Sequence, residues 1–279
     1  MTRPAYLHPT PPTGPERIQV GLFGGSGFYE LFDDAEHVRI ETPYGPPSAP
    51  VAVGTIGGRS VGFMPRHGTG HERPAHAVNY RANMWAMKHL GATDVVLPCA
   101  AGSLQPHIEP GDIVVADQLV DRTRRRLDTY FDGPVATHVG FAEPYDAEMR
   151  TTFIAAGREH GLSVHDGGTV VVIEGPRFST RAESTWFTRM GWDVVNMTAY
   201  PEAALARELE MAAVNLSMVT DYDAGVVAVD DVQPVSAHDV IEVFKANIAR
   251  LRDLLDAAIP ALPLSGDRPA LRAMDAARL

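Results

Sequence analysis

Cysteine, basic residues and long apolar runs are all scarce in this sequence of 279 residues. Its single cysteine, Cys99, cannot form an internal disulfide and offers no cysteine-rich metal site. No stretch approaches the roughly 18–20 consecutive apolar residues of a membrane-spanning helix, and the opening Met1-Thr2-Arg3-Pro4 is unlike an apolar signal core. The 24 Lys and Arg residues are outnumbered by 35 Asp and Glu residues, and the net charge of -11 argues against nucleic-acid binding. We therefore expect a cytoplasmic protein that binds neither membranes nor nucleic acid.

The remaining composition is that of a globular protein, with 45% hydrophobic and 21% charged residues. Five prolines fall within residues 1–16, which have no hydrophobic period, so we expect a disordered proline-rich arm over residues 1–17. No linker or internal repeat follows, which favours a single domain over residues 18–260. The tail over residues 261–279 mixes proline, glycine and Ala-Arg segments, and both a mobile and a docked tail fit this composition.

Short apolar runs alternate with helix-like stretches along this domain. Several of the runs are continuously apolar, as expected of strands that are buried on both faces by helices. The predicted strands are Ile18–Phe23, Val51–Ile56, Ser60–Met64, Asp94–Cys99, Asp112–Ala116, Gly168–Ile173, Asp193–Met197 and Ala213–Thr220. The predicted helices are Ala75–Leu90, Asp146–His160, Arg181–Met190, Pro201–Leu209 and His238–Ala258. This alternation predicts an α/β fold with a sheet covered by helices on both sides.

Three loops that follow predicted strands carry groups suited to binding an anion. Gly24-Gly25-Ser26-Gly27 offers backbone N–H groups and the hydroxyl of Ser26. Arg66 presents planar paired donors, and His67 beside it adds one more donor. The third loop, residues 99–103, is built of small side chains. Each loop alone also fits an ordinary turn or a solvated loop, but open α/β sheets bind ligands at the carboxyl ends of their strands.

Three further segments complete an ordered set of motifs. The run from Ile173 to Glu183 reads Ile-Glu-Gly-Pro-Arg-Phe-Ser-Thr-Arg-Ala-Glu, and Asn196-Met197-Thr198 and Thr220-Asp221-Tyr222-Asp223 follow it. Together with the loops at 24–27, 66–68 and 101–104, this set resembles the 5′-methylthioadenosine phosphorylases, which belong to the trimeric branch of the purine nucleoside phosphorylase superfamily. The resemblance extends over residues 18–258, most of the chain.

The resemblance implies a purine nucleoside phosphorylase-like fold, with a mixed β-sheet surrounded by helices in one domain, and a homotrimer. It also implies a pentosyltransferase that acts on a small-molecule nucleoside and uses no metal or organic cofactor. The expected reaction is phosphorolysis of S-methyl-5′-thioadenosine to adenine and 5-methylthioribose 1-phosphate, a step of purine and methionine salvage. Inorganic phosphate is the nucleophile, so that no Ser, Cys or Asp nucleophile is needed.

The motif match implies a phosphate site, whose members share a position after a strand or before a helix. They are Ser26, Arg66, His67, Cys99, Ala100 (through its backbone) and Thr198. Cys99 stands where the family commonly has threonine, so we expect the side-chain hydroxyl contact to phosphate to be missing. The negative charge of phosphate stabilises the oxocarbenium-like transition state that forms as a glycosidic bond breaks.

The motif match also implies a nucleoside site. Phe178 is expected against the purine ring and Met197 against the ribose. Asp221 is the candidate general acid for the departing purine, and Asp223 is expected to perturb its pKa and to accept from the exocyclic amine. The pattern leaves open which aspartate holds the proton, and an exposed acidic turn is the alternative interpretation. Ser179 with the two aspartates favours adenine, because acceptors that face a 6-oxo group would cost on the order of 1–3 kcal/mol.

The pocket for the 5′ substituent is implied by alignment with the family. Ala237 and Val240 are expected as apolar contacts for a methylthio group, and His138 matches a family histidine near this pocket, with an exposed loop position as its alternative. The alternative function is a broader purine nucleoside phosphorylase that accepts adenosine, inosine or methylthioinosine. A hydrolytic nucleosidase and a non-catalytic nucleoside-binding protein are further alternatives. The basic run 122–126 is interpreted as a solvated loop or a subunit contact.

Overall fold

The computed structural model describes residues 9–25, 28–225, 237–263, 267–275 and 277. This part of the chain contains eleven strands and five α-helices. The strands are β1 (Val20–Gly24), β2 (Glu36–Val38), β3 (Val51–Ile56), β4 (Arg59–Pro65), β5 (Asp94–Ser103), β6 (Ile113–Val115), β7 (Gln118–Arg122), β8 (Val164–Asp166), β9 (Thr169–Ile173), β10 (Val194–Asn196) and β11 (Ala212–Asp221). The helices are α1 (Tyr80–His89), α2 (Ala147–Glu159), α3 (Arg181–Arg189), α4 (Ala199–Glu208) and α5 (Ala237–Ala261).

All of these strands belong to one mixed sheet. Its main path runs β2-β3-β4-β1-β5-β10-β9-β7, while β11 pairs with β5 and β6, and β6 also pairs with β8. The strand β1 lies parallel to β4 and β5, and β5 lies parallel to β11. The carboxyl ends of these four strands therefore meet at one edge, the edge at which open α/β sheets bind ligands.

Helices cover both faces of the sheet. On one face α1 and α4 contribute to a cluster of buried apolar side chains that includes Leu205, and on the other α2 and α5 contribute to a cluster that includes Leu251. Val95 of β5 belongs to the first cluster and Val96 to the second, as the alternation of side chains along a strand requires. Within the described ranges, no helix combines the length and apolarity needed to cross a bilayer.

The predicted α/β fold with a mixed sheet and helices on both sides is confirmed, and each predicted helix and strand has a counterpart. Helix α1 begins later than predicted, because Ala75–Ala77 form a separate 3₁₀ turn and the side chain of Asn79 caps the helix by accepting from the N–H of Ala82. The strands β2, β7 and β8 were not predicted. They are short and largely exposed or half-buried, so that no continuous apolar run marks them.

Both ends of the described chain lie against the domain. The hydroxyl of Ser60 donates to the carbonyl oxygen of Arg17 at 2.8 Å. Arg268 is 1% exposed, donates to the Asp94 carboxylate at 2.6 Å and lies 3.6 Å from that of Asp146. The described part of the tail is therefore docked. The division into arm, domain and tail at residues 17 and 260 stays a prediction, and residues 1–8 lie outside the described part.

Candidate active site

A cavity of about 290 Å³ lies at the edge where β1, β4, β5 and β11 end. Its walls come from the ends of β5 and β11, from the loops after β1 and β4, from β10 with the start of α4, and from the segment before α3. The predicted loop over residues 99–103 is instead the last part of β5. Nine of the predicted site residues line it: Arg66, His67, Cys99, Ala100, Phe178, Met197, Thr198, Asp221 and Asp223. Segments that are remote in sequence thus meet around one space.

The guanidinium group of Arg66 is held in this wall by a buried carboxylate. Arg66 is fully buried, its Nε and Nη2 donate to the two carboxylate oxygens of Glu202, the latter at 3.0 Å, and its Nη1 donates to the carbonyl oxygen of Pro98 at 3.1 Å. Burial alone would lower the pKa of Arg66, but the Glu202 carboxylate holds that pKa above its usual value. The guanidinium therefore stays charged, and the two-point contact fixes its plane.

The ring of His67 is neutral and has a defined tautomer. Its Nδ1 lies 2.8 Å from the carbonyl oxygen of Arg73, which can only accept, so Nδ1 carries the proton of the neutral ring. Burial, and then the charge of Arg66, lower the pKa of His67 to about 4. From the sequence we expect this ring to donate to an anion, whereas the neutral ring presents an unprotonated Nε2 that accepts a hydrogen bond.

The loop between β10 and α4 brings a hydroxyl group to the cavity. Thr198 is the N-cap residue of α4, but its side chain makes no cap hydrogen bond. Its Oγ1 is buried and finds no hydrogen-bond partner among the described residues. Leaving such a group unpaired costs on the order of 1–3 kcal/mol, which a bound anion would offset by accepting from it.

Cys99 and Ala100 form part of the β5 wall. The Sγ of Cys99 accepts from Nδ2 of Asn196 at 3.1 Å and from Nδ2 of Asn215 at 3.4 Å. Burial raises the pKa of this thiol above its usual value, so the group remains uncharged at neutral pH. Its sulfur is thus engaged with side chains of β10 and β11.

The end of β11 directs Asp221 toward the cavity. The pairing of β11 with β5 shifts between Val219 and Asp221, so that Asp221 lies opposite Gly102. The Oδ1 of Asp221 accepts from the N–H of Asp223 and its Oδ2 accepts from the hydroxyl of Thr220, both at 2.7 Å. A Cβ at Gly102 would lie 2.9 Å from Oδ1 of Asp221, so glycine is needed for this close approach.

Asp223 supplies a second carboxyl group, which is more deeply buried. Its φ of 49° lies in the left-handed region, which aspartate adopts more readily than most residues. Its Oδ2 is buried and lacks a hydrogen-bond partner in the described part of the chain. Burial raises the pKa of Asp223 above its usual value. The predicted residue Ser179 does not line the cavity, and its buried Oγ finds no hydrogen-bond partner among the described residues.

Apolar side chains form the wall between β9 and α3. Phe178 of this segment lines the cavity, as does Met197 after β10. A Cβ at Gly175, whose φ is 69°, would lie 2.7 Å from Sδ of Met197, so glycine is needed there. The segment leads into α3 through a capping box in which Thr180 and Glu183 each accept from the other's backbone N–H. The cap fixes where the helix begins and therefore where Phe178 lies.

One residue of the basic run supports the same wall, which corrects the interpretation of residues 122–126 as a solvated loop. The side chain of Arg126 is 2% exposed. It donates to the carbonyl oxygens of Glu174, at 2.9 Å, and of Tyr200, and lies over the ring of Tyr80 with its Cζ 5.2 Å from the centroid. Of the other arginines in this run, Arg122 and its neighbours at 124 and 125 are exposed.

The other predicted residues either do not line the cavity or lie outside the part of the chain that the structure describes. His138 is exposed, and within this chain it does not line the cavity. Ser26 lies outside the described residues, as do the side chains of Ala237 and Val240 in the first turn of α5. Among the described residues, no group of three or more His, Cys, Asp or Glu side chains is arranged to hold a metal ion.

Comparison with known proteins identifies the family. A family model described as the phosphorylase superfamily matches residues 19–260. The chain belongs to this superfamily. The family resemblance, the fold and the classification as an enzyme are confirmed by this match and by the relatives.

The relatives are similar over nearly the whole chain. A purine nucleoside phosphorylase of Streptomyces coelicolor is 50% identical over 260 residues, covering 90% of this chain and 92% of the relative. An S-methyl-5′-thioadenosine phosphorylase of Mycobacterium tuberculosis is 55% identical over 243 residues, covering 86% and 88%. The solved methylthioadenosine phosphorylase of Schistosoma mansoni in complex with adenine has a TM-score of 0.85 at 35% identity, covering 93% of this chain and 97% of that chain.

Sequence reasoning missed three residues of this phosphorylase site. His71 and Asn196 line the cavity, and Glu202 holds Arg66. A signal for Glu202 was present, because this single carboxylate directly precedes the apolar run Ala203–Ala206 in a predicted helical stretch. A charge in such a position is normally paired.

Glu202→Gln should lower the free energy of unfolding by about 3–5 kcal/mol, because it leaves the buried guanidinium of Arg66 without a countercharge. Urea unfolding measures this loss. The paired variant Arg66→Met with Glu202→Leu should recover most of the stability, since a buried ion pair can be replaced by apolar side chains at little cost. A Glu202→Gln protein as stable as the unmodified protein would contradict the assignment of the pair.

His67→Gln should make the protein less sensitive to acid. The ring has a pKa of about 4 in the fold against 6.5 for its ordinary value, so the unfolded chain binds the proton more readily and stability falls as the pH drops from 6.5 toward 4. This shift corresponds to about 3 kcal/mol, which the variant removes. Unfolding free energies across this range measure the effect, with exposed His37→Gln as the control. Parallel curves for His67→Gln and the unmodified protein would show that the ring is not buried and neutral.

Proposed function

We propose that the chain is an S-methyl-5′-thioadenosine phosphorylase, which converts S-methyl-5′-thioadenosine and inorganic phosphate to adenine and 5-methylthioribose 1-phosphate. The observation that carries this proposal is a single cavity lined both by anion-binding groups and by the paired carboxyl groups of Asp221 and Asp223. The relatives from Mycobacterium tuberculosis and Schistosoma mansoni, both methylthioadenosine phosphorylases, support this nucleoside. A cytoplasmic homotrimer without metal or organic cofactor completes the proposal, by resemblance to the family.

Phosphate is proposed to bind between β4 and α4. The guanidinium of Arg66 and the unpaired hydroxyl of Thr198 donate to it, and the backbone at Ala100 borders it. The unprotonated Nε2 of His67 accepts the hydrogen bond of the phosphate hydroxyl, which suits hydrogen phosphate at neutral pH. Ser26 joins this set by resemblance alone, and Cys99 contributes its backbone while its sulfur faces the sheet.

The nucleoside is proposed to lie between this phosphate and the paired carboxyl groups. Phe178 contacts the purine and Met197 the ribose. Ser179 belongs to this site by resemblance alone. An oxygen of phosphate forms a bond to C1′ as the bond from C1′ to N9 of the purine breaks. Hydrogen phosphate releases its proton to solvent in forming the ester dianion, and the departing adenine takes one from an enzyme group that solvent then reprotonates, so the protons balance.

The proton for adenine is proposed to come from the aspartate pair. Both carboxylate oxygens of Asp221 accept hydrogen bonds from protein groups, whereas Oδ2 of Asp223 has no such partner in the described chain. Burial raises the pKa of Asp223, which favours this residue as the holder of the proton in the free enzyme. Asp221, whose Oδ1 accepts from the N–H of Asp223, remains the candidate for delivering the proton to the purine.

The pocket for the 5′ substituent is proposed to include Ala237, Val240 and His138. The first two precede the described side chains of α5, and their apolar character suits a methylthio group. Because His138 is exposed and does not line the cavity in this chain, its part in the proposal depends on the trimer. In a trimer, such an exposed residue of one subunit can contribute to the site of the neighbouring subunit.

A spectrophotometric turnover assay tests this function with methylthioadenosine and methylthioinosine side by side, each with and without phosphate. We expect phosphate-dependent loss of methylthioadenosine, and a kcat/KM about 10- to 100-fold lower for methylthioinosine, because its 6-oxo group meets carboxylate acceptors. Asp221→Asn is the matched variant, since an amide donates to a 6-oxo group and should narrow this difference. Turnover that ignores phosphate would contradict a phosphorylase.

The second candidate function is a purine nucleoside phosphorylase of broader specificity. It is favoured by the Streptomyces coelicolor relative, which carries that name and is 50% identical. Equal turnover of the two nucleosides in the same assay would support it and would refute the argument from the carboxylate acceptors.

A further inference from the structure

A buried polar network crosses the sheet beside the cavity. It links β10, β5 and β11 through Asn196, Cys99, Asn215 and Ser217, all of which are buried. Nδ2 of Asn196 donates to Sγ of Cys99 at 3.1 Å, and Nδ2 of Asn215 donates to the same sulfur at 3.4 Å. The hydroxyl of Ser217 donates to Oδ1 of Asn215 at 2.8 Å. Burying polar side chains in an apolar sheet costs stability unless each is paired, so a network at this position indicates a role beyond packing.

The orientation of the Asn196 carboxamide is fixed by its neighbours. Its Oδ1 accepts from the backbone N–H of Thr198 at 3.2 Å and from that of Ala199 at 3.3 Å. Because backbone N–H groups can only donate, the oxygen must face them and the NH₂ group must face Cys99. The carboxamide therefore joins the start of α4 to the middle of β5.

This junction spans the two segments that border the phosphate region. Asn196 and Cys99 line the cavity, and so does Thr198, whose buried Oγ1 has no partner in the described part of the chain. The backbone of Thr198 is not helical, with φ of -132° and ψ of -20°. The hydrogen bond from its N–H to Oδ1 of Asn196 supports this backbone conformation and with it the position of the hydroxyl.

We propose that Asn196 is a positioning residue for phosphate, and that the thiol of Cys99 is its anchor. The carboxamide holds the Thr198 loop at the distance from β5 that phosphate requires, and Cys99 acts through Asn196 instead of touching the anion with its sulfur. This inference rests on the proposed phosphorolysis. It concerns a residue outside the set expected from the sequence, and it gives Cys99 a role other than that of a phosphate ligand.

Steady-state kinetics of the full-length chain test the proposal, with phosphate and methylthioadenosine varied separately. Cys99→Ala and Asn196→Ala should each raise the KM for phosphate by about five- to tenfold, the equivalent of one lost hydrogen bond, with the KM for the nucleoside within about twofold. Cys99→Ser, which restores an acceptor, should recover part of the effect. The double variant should be no worse than Asn196→Ala alone, because both changes break the same connection.

The control variant is Ser217→Ala. The hydroxyl of Ser217 lies 3.6 Å from Sγ of Cys99 and does not line the cavity, and its removal leaves the bond from Asn196 to Cys99 in place. The variant should therefore lower the melting temperature and leave the KM for phosphate unchanged. If Cys99→Ala and Asn196→Ala change only the melting temperature, the proposal is overturned. Additive increases of the phosphate KM in the double variant would also overturn it, because they would indicate that the sulfur contacts phosphate directly. Thermal stabilisation by inorganic phosphate alone gives a second readout if Asn196→Ala turns over too slowly to assay.

The proposed function and the role of Asn196 can each be refuted separately. An unmodified protein whose turnover ignores phosphate overturns the proposed function and this inference with it. If the unmodified protein needs phosphate and the Asn196 and Cys99 variants have the same KM for phosphate as the unmodified protein, the inference alone is overturned.

Discussion

The site depends on the buried ion pair between Arg66 and Glu202. Taking two charges out of water costs several kcal/mol per ion, which is recovered only if the geometry is good and the remaining donors are paired. Here two N–H groups face the two carboxylate oxygens and a third donor reaches the carbonyl of Pro98. Glu202 follows Tyr200, a non-helical residue that interrupts α4 near its start, so the chain between Thr198 and Glu202 must take this path for the carboxylate to reach the guanidinium. The position of the Arg66 guanidinium and the start of α4 are therefore one constraint.

The same pair determines the charge that a bound phosphate meets. Glu202 cancels the charge of Arg66, and the ring of His67 is neutral above about pH 4. The part of the cavity formed by Arg66, His67 and Thr198 thus offers hydrogen-bond donors to a phosphate anion but carries little net positive charge. In the proposed reaction, the charge that complements phosphate appears on the ribosyl group only as the glycosidic bond breaks. Such an arrangement stabilises the transition state more than the ground state, which is what catalysis requires.

Much of this molecule could be predicted from its sequence, and the exceptions share a physical cause. Continuous apolar runs identified the buried strands, and the ordered motifs identified the family and nine residues that line the cavity. What local pattern cannot reveal is the choice of distant partners. The contact of Arg66 with Glu202 and the tautomer of His67 depend on groups that only the fold brings together. Arg126 looked like part of a solvated basic run because its carbonyl partners lie far away in sequence. Side chains at the start of α5, including Ala237, lie outside what the structure describes.

The measurement that tests the account most directly is the fate of labelled phosphate. The enzyme is incubated with methylthioadenosine and ³²P-phosphate, and adenine and labelled sugar are quantified from the same reaction. Attack by phosphate held at Arg66 and Thr198 predicts one label in the sugar product for each adenine released. Release of adenine with unlabelled methylthioribose would mean that water is the nucleophile, and that the anion-binding wall has another purpose.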